Sequence, residues 1–177
     1  NTIREYVTIN RGTNWRKKTE IGKNCLIMAY CHIAHDCKVG DNSIFSNNST
    51  LAGHVTVQDY VILAGMVAVH QFCNIGTHAF IAGGSLVRKD IPPFVKAARE
   101  PLSYVGINSV GLRRRGFESA KIREIQNIYR ILYQKKYNNT QAIDIIEAEV
   151  EATKARDEIL LFIRNSQRGI MKGYIQN

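Results

Sequence analysis

Four of the five histidines of this 177-residue chain lie between residues 32 and 70, in three segments that start 18 residues apart. The segments are His32–Asp36, Thr50–His54 and Ala68–Phe72. Imidazole changes its charge near neutral pH and is the commonest general acid or base in enzymes. A lone histidine is more often an ordinary surface residue. Four histidines on one face would form a cluster suited to proton transfer, provided that the fold aligns the three segments.

A repeat of six residues gives the three segments equivalent positions, and the number of hexads per coil decides whether they align. An aliphatic or aromatic residue stands at every sixth position from Ile21 to Val87, and the fifth residue of each hexad, from Cys25 to Ser85, is small and uncharged. Six is a multiple of the strand period of two and does not fit 3.6 residues per helical turn. The chain from 21 to 87 is therefore predicted to be extended, with positions one and five of each hexad facing inward.

The third position of the hexad indicates a bend. It is mostly polar or glycine, which does not suit a core, and Asn24, Asn42 and Asn48 at the fourth position tolerate the left-handed backbone of a corner. An extended chain that bends once per hexad forms a β-solenoid, whose coils bury their apolar face only by stacking. Residues 1–93 are predicted to form this solenoid, with an outward loop between Ile9 and Ile21.

The second half of the chain has a different pattern. The run Asp-Ile-Pro-Pro at 90–93 ends the hexads, and a connector is expected to about Gly116. Helical spacing of apolar residues follows, with Ser119 as the expected N-cap of the first helix. Residues 94–177 are therefore predicted to be a connector and a small α-helical domain resting on the solenoid.

The net charge indicates what kind of partner the protein binds, and the positions of the cysteines indicate its cellular compartment. The formal net charge is +9, most of it in residues 88–177, and three arginines stand together at 113–115. This favours an acidic partner, whereas no motif supports nucleic acid. No apolar run approaches the roughly 18 residues of a membrane span. The four cysteines occupy the inward fifth position, so they are predicted to be core thiols in a reducing compartment, the cytoplasm.

Four phrases of the sequence resemble one enzyme family. They are Ala-His-Asp-Cys at 34–37, Thr-Leu-Ala-Gly-His at 50–54, Ala-Val-His-Gln-Phe at 68–72 and Gly-Leu-Arg-Arg-Arg-Gly-Phe at 111–117. With the C-terminal helices, they closely resemble the UDP-N-acetylglucosamine O-acyltransferases that begin lipid A synthesis, over nearly the whole chain. The resemblance implies a left-handed parallel β-helix with three hexads per coil and a C-terminal helical domain, assembled as a homotrimer with active sites between subunits.

The resemblance also implies a reaction and the residues that carry it. A 3-hydroxyacyl group would move from the phosphopantetheine of acyl carrier protein to the 3-hydroxyl of UDP-N-acetylglucosamine, with no cofactor or metal of the enzyme's own. His35 matches the general base, Asp36 the group that orients it, and Gly53 the backbone N–H that holds the oxyanion. The positions that match substrate contacts are His32, His54, His70, Gln71, Gly83, Asn108, Arg114 and Arg115.

Four of these matches imply contact with a particular part of a substrate. Asn108 and the paired arginines match contacts to the nucleotide and its phosphates, and the remaining basic residues would suit acidic acyl carrier protein. Gly83 matches the position whose bulk limits acyl length, so glycine predicts a long chain. Outward apolar residues at corners need covering, and the expected trimer contacts are Tyr30, Tyr60, Met66 and Phe72.

The chain departs from the family pattern at Asn10, where many relatives have His, at Val110, where some have Glu, and at its start, and other functions remain open. The family's N-terminal coils are missing from this sequence, which starts without Met inside a repeat-like phrase, so an upstream segment is expected. The nearest rival is the N-acyltransferase of the same pathway. A β-helical carbonic anhydrase would bind zinc between subunits through outward histidines, here His35, His54 and His70. A catalytically incomplete scaffold fragment is the third alternative.

Overall fold

The first half of the chain is a stack of coils, each made of three short strands. The computed structural model describes residues 1–135 and 137–173. In chain order the strands of the coils are β1 (Thr2–Ile3), β2 (Thr8–Ile9), β3 (Glu20–Ile21), β4 (Leu26–Ile27), β5 (His32–Ile33), β6 (Lys38–Val39), β7 (Ile44–Phe45), β8 (Thr50–Leu51), β9 (Thr56–Val57), β10 (Ile62–Leu63), β11 (Ala68–Val69), β12 (Asn74–Ile75), β13 (Phe80–Ile81) and β14 (Leu86–Val87).

These strands form three parallel sheets, one along each side of the solenoid. One sheet contains β1, β4, β7, β10 and β13, another β2, β5, β8, β11 and β14, and the third β3, β6, β9 and β12. From β3 onward, partners stand 18 residues apart, as Ile44 and Ile62 do, so three hexads make one coil. Thr8 pairs with His32, 24 residues away, because the predicted outward loop of residues 10–19 is six residues longer than the four-residue connections of the later coils.

Positions one and five of the hexads face inward, as predicted. Apolar residues from Ile27 to Val87 are at most 3 % exposed at the first position. All four cysteines are buried free thiols. Buried serines at the fifth position donate to backbone carbonyls, as Ser43 does to Gln58 O at 3.2 Å, which satisfies their hydroxyls inside the core.

The corners of the coils are left-handed at the fourth position of every hexad from Asn24 to His78, with φ between 57° and 65°. The sequence pointed to this backbone through asparagines, but the structure extends it to bulky residues. Their side chains stack on those of the next coil, with ring centroids 4.7 Å apart in both His54–Phe72 and Tyr60–His78. Stacking along a corner offsets the cost of the unusual φ for side chains that rarely adopt it.

After β14 the chain extends one sheet before it becomes helical. β15 (Val95–Ala98) pairs parallel with β13, and β16 (Ser103–Ile107) pairs antiparallel with β15. The remaining elements are α1 (Ser109–Arg114), α2 (Ser119–Gln134), α3 (Asn139–Glu149), α4 (Lys154–Asn165) and β17 (Lys172–Gly173), which pairs with β16. Residues 136 and 174–177 of the predicted helical region lie outside the described residues.

Two sequence expectations are corrected here. Glu118, not Ser119, is the N-cap of α2, and Ser119 is already helical. The connector also contains a helix, α1, which begins after Asn108, whose side chain accepts a hydrogen bond from Gly111 N. Six residues are too few for the apolar periodicity by which a helix is recognised in a sequence.

The helices dock on the last coils of the solenoid through apolar packing and a few buried polar contacts. Tyr129 is buried, and its hydroxyl donates to Pro93 O at 2.6 Å. Thr77 donates to Glu158 of α4, and Ser166 donates to Asp90 at 2.7 Å. Among the described residues, no helix combines the length and apolar character needed to cross a membrane.

Candidate active site

The three histidine segments meet at one corner of the solenoid. β5, β8 and β11 pair in register, so the corners that follow these strands lie one above another. The alignment predicted from the 18-residue spacing is therefore confirmed. We call this place the His35 corner, and its two columns of residues are His35, Gly53 and Gln71, and Asp36, His54 and Phe72.

His35 and Asp36 form a hydrogen-bonded pair. His35 Nδ1 lies 2.8 Å from Asp36 Oδ2, and the Asp36 side chain is fully buried while that of His35 is 38 % exposed. An ionised carboxylate can only accept, so Nδ1 carries the proton and Nε2 keeps its lone pair. The pair therefore holds a histidine in the tautomer that a general base requires.

Hydrogen bonds from the inserted loop keep Asp36 ionised. Thr13 N donates to the carboxylate at 3.0 Å, Thr13 Oγ1 at 2.6 Å and Arg16 N at 3.1 Å. Burial alone would raise the pKa of Asp36, but the hydrogen bonds from Thr13, His35 and Arg16 outweigh burial and hold that pKa well below its usual range. Asp36 therefore stays a hydrogen-bond acceptor for His35 throughout the physiological pH range.

Gly53 lies directly against the His35 ring. A Cβ added at Gly53 would stand 2.6 Å from His35 Cε1 and 2.7 Å from His35 Nε2. The missing side chain therefore makes room for the neighbouring imidazole. The Gly53 N–H donates no hydrogen bond to the part of the chain that is described, so a free N–H lies beside the nitrogen that would act as base.

His54 closes the corner behind the pair. Its Nε2 is 3.8 Å from Asp36 Oδ2, its ring meets the His35 ring edge-on at 5.1 Å, and it stacks on Phe72. The exposed indole of Trp15, on the inserted loop, meets His54 edge-on at 6.1 Å. His54 Nδ1 is buried and has no hydrogen-bond partner within residues 1–135 and 137–173.

Three more predicted residues lie on the same side of the solenoid. Thr8 Oγ1 and His32 Nδ1 are 2.7 Å apart, which fixes the ring of His32 on β5. His70 Nδ1 donates to the backbone carbonyl of Gln71 at 3.1 Å, and the His70 side chain is exposed. His32, His70 and Gln71 therefore border the corner that His35 and Gly53 occupy.

The remaining predicted residues lie at other corners of the same chain. Gly83 belongs to the corner between the β13 and β14 sheets, where an added Cβ would meet Gly65 O at 3.1 Å. Arg115 donates to Tyr60 O at 3.1 Å and lies over the Tyr60 ring, while Arg114 is exposed at the end of α1. One chain therefore does not bring these residues to the His35 corner.

Asn108 is largely committed to local structure. It is 8 % exposed, its amide donates to His78 O at 2.9 Å, and its oxygen accepts from Gly111 N at 3.1 Å as the cap of α1. One N–H and one lone pair of the amide remain for a further contact.

The ligand atoms of His35, Asp36 and His54 lie within 4.8 Å of one another, a spacing that a metal ion could bridge. The shared Asp36 oxygen already accepts hydrogen bonds from His35 and Thr13. His70, the third histidine of the carbonic anhydrase alternative, is outside this group. A hydrogen bond accounts for the contact between His35 and Asp36, and ring packing against His35 and Phe72 accounts for the position of His54.

Sequence reasoning missed Thr13 and Arg16. The loop was expected to extend outward, and it does, but its polar groups turn back onto Asp36. The only signal in the sequence is the broken hexad count between Ile9 and Ile21, which marks an insertion beside the histidine segments without showing its contacts.

Comparisons with known proteins agree with the resemblance. Residues 18–53 match bacterial transferase hexapeptide repeats, and residues 90–171 match the second domain of UDP-N-acetylglucosamine O-acyltransferase. A relative from Herminiimonas arsenicoxydans, named acyl-acyl-carrier-protein–UDP-N-acetylglucosamine O-acyltransferase, is 48 % identical over 177 residues, covering 97 % of this chain and 68 % of the relative. This chain belongs to that O-acyltransferase family.

Solved structures of the O-acyltransferase family share the fold. UDP-N-acetylglucosamine acyltransferase from Francisella novicida matches with a TM-score of 0.92 and 41 % identity over 96 % of this chain and 63 % of its own. The enzyme from Bacteroides fragilis matches with a TM-score of 0.91 and 46 % identity, and the match covers 94 % of this chain and 65 % of the Bacteroides chain. The solenoid is thus the family's left-handed parallel β-helix followed by a helical domain, and the predicted fold class is confirmed.

The O-acyltransferase relatives are longer than this chain, which spans about two thirds of their length. A relative of the same name from Aliivibrio fischeri is 46 % identical, and the match covers 97 % of this chain and 66 % of the relative. Membership of this family favours the O-acyltransferase interpretation over the N-acyltransferase and carbonic anhydrase alternatives.

Proposed function

We propose that this chain carries the catalytic centre of an enzyme that transfers a 3-hydroxyacyl group from acyl carrier protein to the 3-hydroxyl of UDP-N-acetylglucosamine, the first step of lipid A synthesis, in the cytoplasm. The observation that carries the proposal is the 2.8 Å hydrogen bond between His35 Nδ1 and Asp36 Oδ2, in a corner where Gly53 lies against the His35 ring and its N–H has no acceptor in the described chain. The carrier's phosphopantetheine brings the thioester, and the enzyme uses no cofactor of its own.

The transfer is a single exchange of oxygen for sulfur at the acyl carbonyl. His35 Nε2 takes the proton of the sugar 3-hydroxyl as its oxygen attacks the thioester carbon. The carbonyl oxygen becomes an oxyanion that accepts a hydrogen bond from Gly53 N–H. Collapse of this intermediate breaks the carbon–sulfur bond, and the proton passes from His35 to the departing thiolate. Asp36 stabilises the transient imidazolium. A positioned base contributes ~10² to 10⁴ in rate and one oxyanion donor ~10² to 10³.

The other residues would bind the substrates. His32, His54, His70 and Gln71 border the same corner and are suited to the sugar nucleotide and the donor. His54 Nδ1, buried without a partner in the described chain, is an atom that a substrate group could satisfy. Gly83 leaves room for a long acyl chain.

A homotrimer would complete the site. Asn108, Arg114 and Arg115 suit a nucleotide diphosphate, yet in one chain they lie away from the His35 corner, so they would serve the site of a neighbouring copy. Exposed apolar side chains at the corners support such contacts, with Tyr30 57 %, Met66 67 % and Phe72 49 % exposed. Tyr60 is 36 % exposed beneath Arg115.

A basic cleft supports an acidic carrier protein as the donor. It encloses about 880 Å³ beside β14, the turn between β15 and β16, and β17. β14 lies in the same sheet as β5 and three strands away, roughly 14 Å at strand spacing, so the cleft faces the side of the solenoid that carries His35. The cationic residues that line it are Arg88, Lys89, Arg99 and Lys172.

The test is acyl transfer from 3-hydroxyacyl carrier protein to UDP-N-acetylglucosamine, measured for this chain and for a form extended by the N-terminal coils of a relative. We expect His35→Ala to lose ~10² to 10⁴ of kcat, while Lys38→Ala, an exposed residue of the same coil, keeps it. Unchanged activity in His35→Ala would remove the proposed base.

The shared site has its own test. Refolding a mixture of His35→Ala and Arg114→Ala chains should restore activity that neither variant has alone, because some sites would then combine an intact base with an intact arginine. A stable monomer in ultracentrifugation, or no gain on mixing, would contradict the trimer.

A further inference from the structure

The inserted loop of residues 10–19 converges on one residue of the solenoid. Thr13 and Arg16 bond the Asp36 carboxylate through their backbone N–H groups, at 3.0 Å and 3.1 Å. Arg16 Nη1 donates to the Asp36 carbonyl at 3.1 Å, and the Asp36 N–H donates to Thr19 Oγ1 at 3.0 Å. The N–H, the carbonyl oxygen and both carboxylate oxygens of Asp36 therefore all form hydrogen bonds with residues of this loop.

The hydroxyl of Thr13 has a fixed direction. Its oxygen accepts from Trp15 N at 3.3 Å and donates to Asp36 Oδ2 at 2.6 Å. The same Oδ2 accepts the proton of His35 Nδ1 at 2.8 Å. Thr13 and His35 therefore share one acceptor oxygen, and the hydroxyl determines where that oxygen stands relative to the imidazole.

Asp36 depends on this support because its carboxylate is buried. A buried charge is costly unless paired hydrogen bonds satisfy it. Its left-handed backbone, with φ of 59°, is shared by the fourth residue of the other hexads. The loop supplies those donors, and the hexads of the solenoid themselves contribute only His35 and, at 3.8 Å, His54.

We propose that loop 10–19 is a clasp that positions the His35–Asp36 pair, and that Thr13 is a positioning residue for the proposed base. The inference rests on the proposed function for its kinetic consequence, but the hydrogen bond it describes exists without substrate. The charged and titratable groups that face the pair are Arg16 from the loop and His54 from the next coil, and Thr13 adds no charge.

The kinetic test compares Thr13→Val, which keeps the shape and removes the hydroxyl, with Thr13→Ser, which keeps the hydroxyl. We expect Thr13→Val to lower kcat by ~10- to 100-fold, the scale of a small misplacement of a catalytic group, with KM little changed. Thr13→Ser should stay close to the parent, as should Thr56→Val, a matched control on β9.

A second measurement needs no activity. In ¹⁵N-histidine-labelled protein, the Nδ1–H of His35, assigned by its loss in His35→Ala, should be a downfield signal protected from exchange in the parent and in Thr13→Ser, and broadened in Thr13→Val. An unchanged signal and unchanged kcat in Thr13→Val would overturn the clasp. A parent that transfers no acyl group would instead count against the proposed function, and the signal would still decide the clasp.

Discussion

The same hexad position carries a histidine at two corners of the solenoid, His54 and His78. Both residues have φ near 60° and both stack on an aromatic ring 4.7 Å away. At the His35 corner, Asp36 and the inserted loop supply polar partners. At the other, which we call the His78 corner, the histidine lies against Phe94 and Phe117.

This difference teaches that a β-helix corner does not itself create a reactive site. Burial, followed by the nearby charge of Arg115, lowers the pKa of His78 to about 4, so His78 is neutral at physiological pH. Its Nδ1 is buried without a partner in the described residues. The hexads place both histidines, and the segments around them decide that His54 lies beside the His35–Asp36 pair while His78 lies among aromatic rings.

The largest expected effect that separates the corners is that of Asp36→Asn. An amide can donate to His35 Nδ1 and stabilise the wrong tautomer, so kcat should fall by ~10³ to 10⁴, the scale of the same change in a serine protease triad. Asp59→Asn, which alters the acidic residue beside the His78 corner, should leave steady-state acyl transfer near the parent value. An equal loss of kcat in Asp36→Asn and Asp59→Asn would contradict the assignment of catalysis to the His35 corner alone.

Next in size is Gly53→Ala. The new Cβ would stand 2.6 Å from His35 Cε1, so the ring must move, and kcat should fall by ~10²-fold. Gly65→Ala is the matched control, because its Cβ meets only Asn47 O at an ordinary 3.4 Å. Crystal structures of both variants would show whether the imidazole moves, and a fully active Gly53→Ala would refute the packing argument.

A smaller effect concerns stability at the His78 corner. Because the folded pKa of His78 is about 4 and an unfolded histidine titrates near 6.5, the unfolded chain binds more protons between these values, and stability falls as the pH drops through that window. Allowing for partial exposure, we expect a loss of about 1 kcal/mol. His78→Phe keeps the ring stack, and denaturant titrations at pH 7 and 5 should show a flatter pH dependence than the parent.

The smallest expected effect is that of Glu158→Gln, beside the same corner. Burial raises the pKa of Glu158, and the hydrogen bond from Thr77 only partly offsets this. The folded state therefore holds the Glu158 proton more tightly than the unfolded chain, and stability falls as pH rises through 4.5 towards the raised value. Removing the charge should raise Tm by about 1 to 2 °C at pH 7 and leave it unchanged near pH 4. A lower Tm at pH 7 would contradict this.

Much of the fold could be predicted because the repeat is local. Inward positions and corners follow from counting hexads, and the structure confirms the inward positions at residues such as Cys37 and Leu51. The 18-residue register, which the structure also has, came from the family resemblance. The N-cap of α2 and the short helix α1 could not be predicted in this way. Glu118 holds an extended backbone before α2 without a side-chain cap, so its position depends on how α2 packs.

The sequence by itself determined which hexad position each residue takes, because an extended chain with a fixed period repeats its geometry whatever surrounds it. With the three hexads per coil that the family resemblance implies, it placed His35, Gly53 and His54 at one corner. Only the tertiary structure decided that Thr13 donates to Asp36, that the His35 ring covers Gly53, and that Arg115 rests on Tyr60. The contacts of Thr13 and Arg115 join segments outside the repeat, where no period relates position in the chain to position in space, and the direction of the His35 ring depends on its hydrogen bond to Asp36.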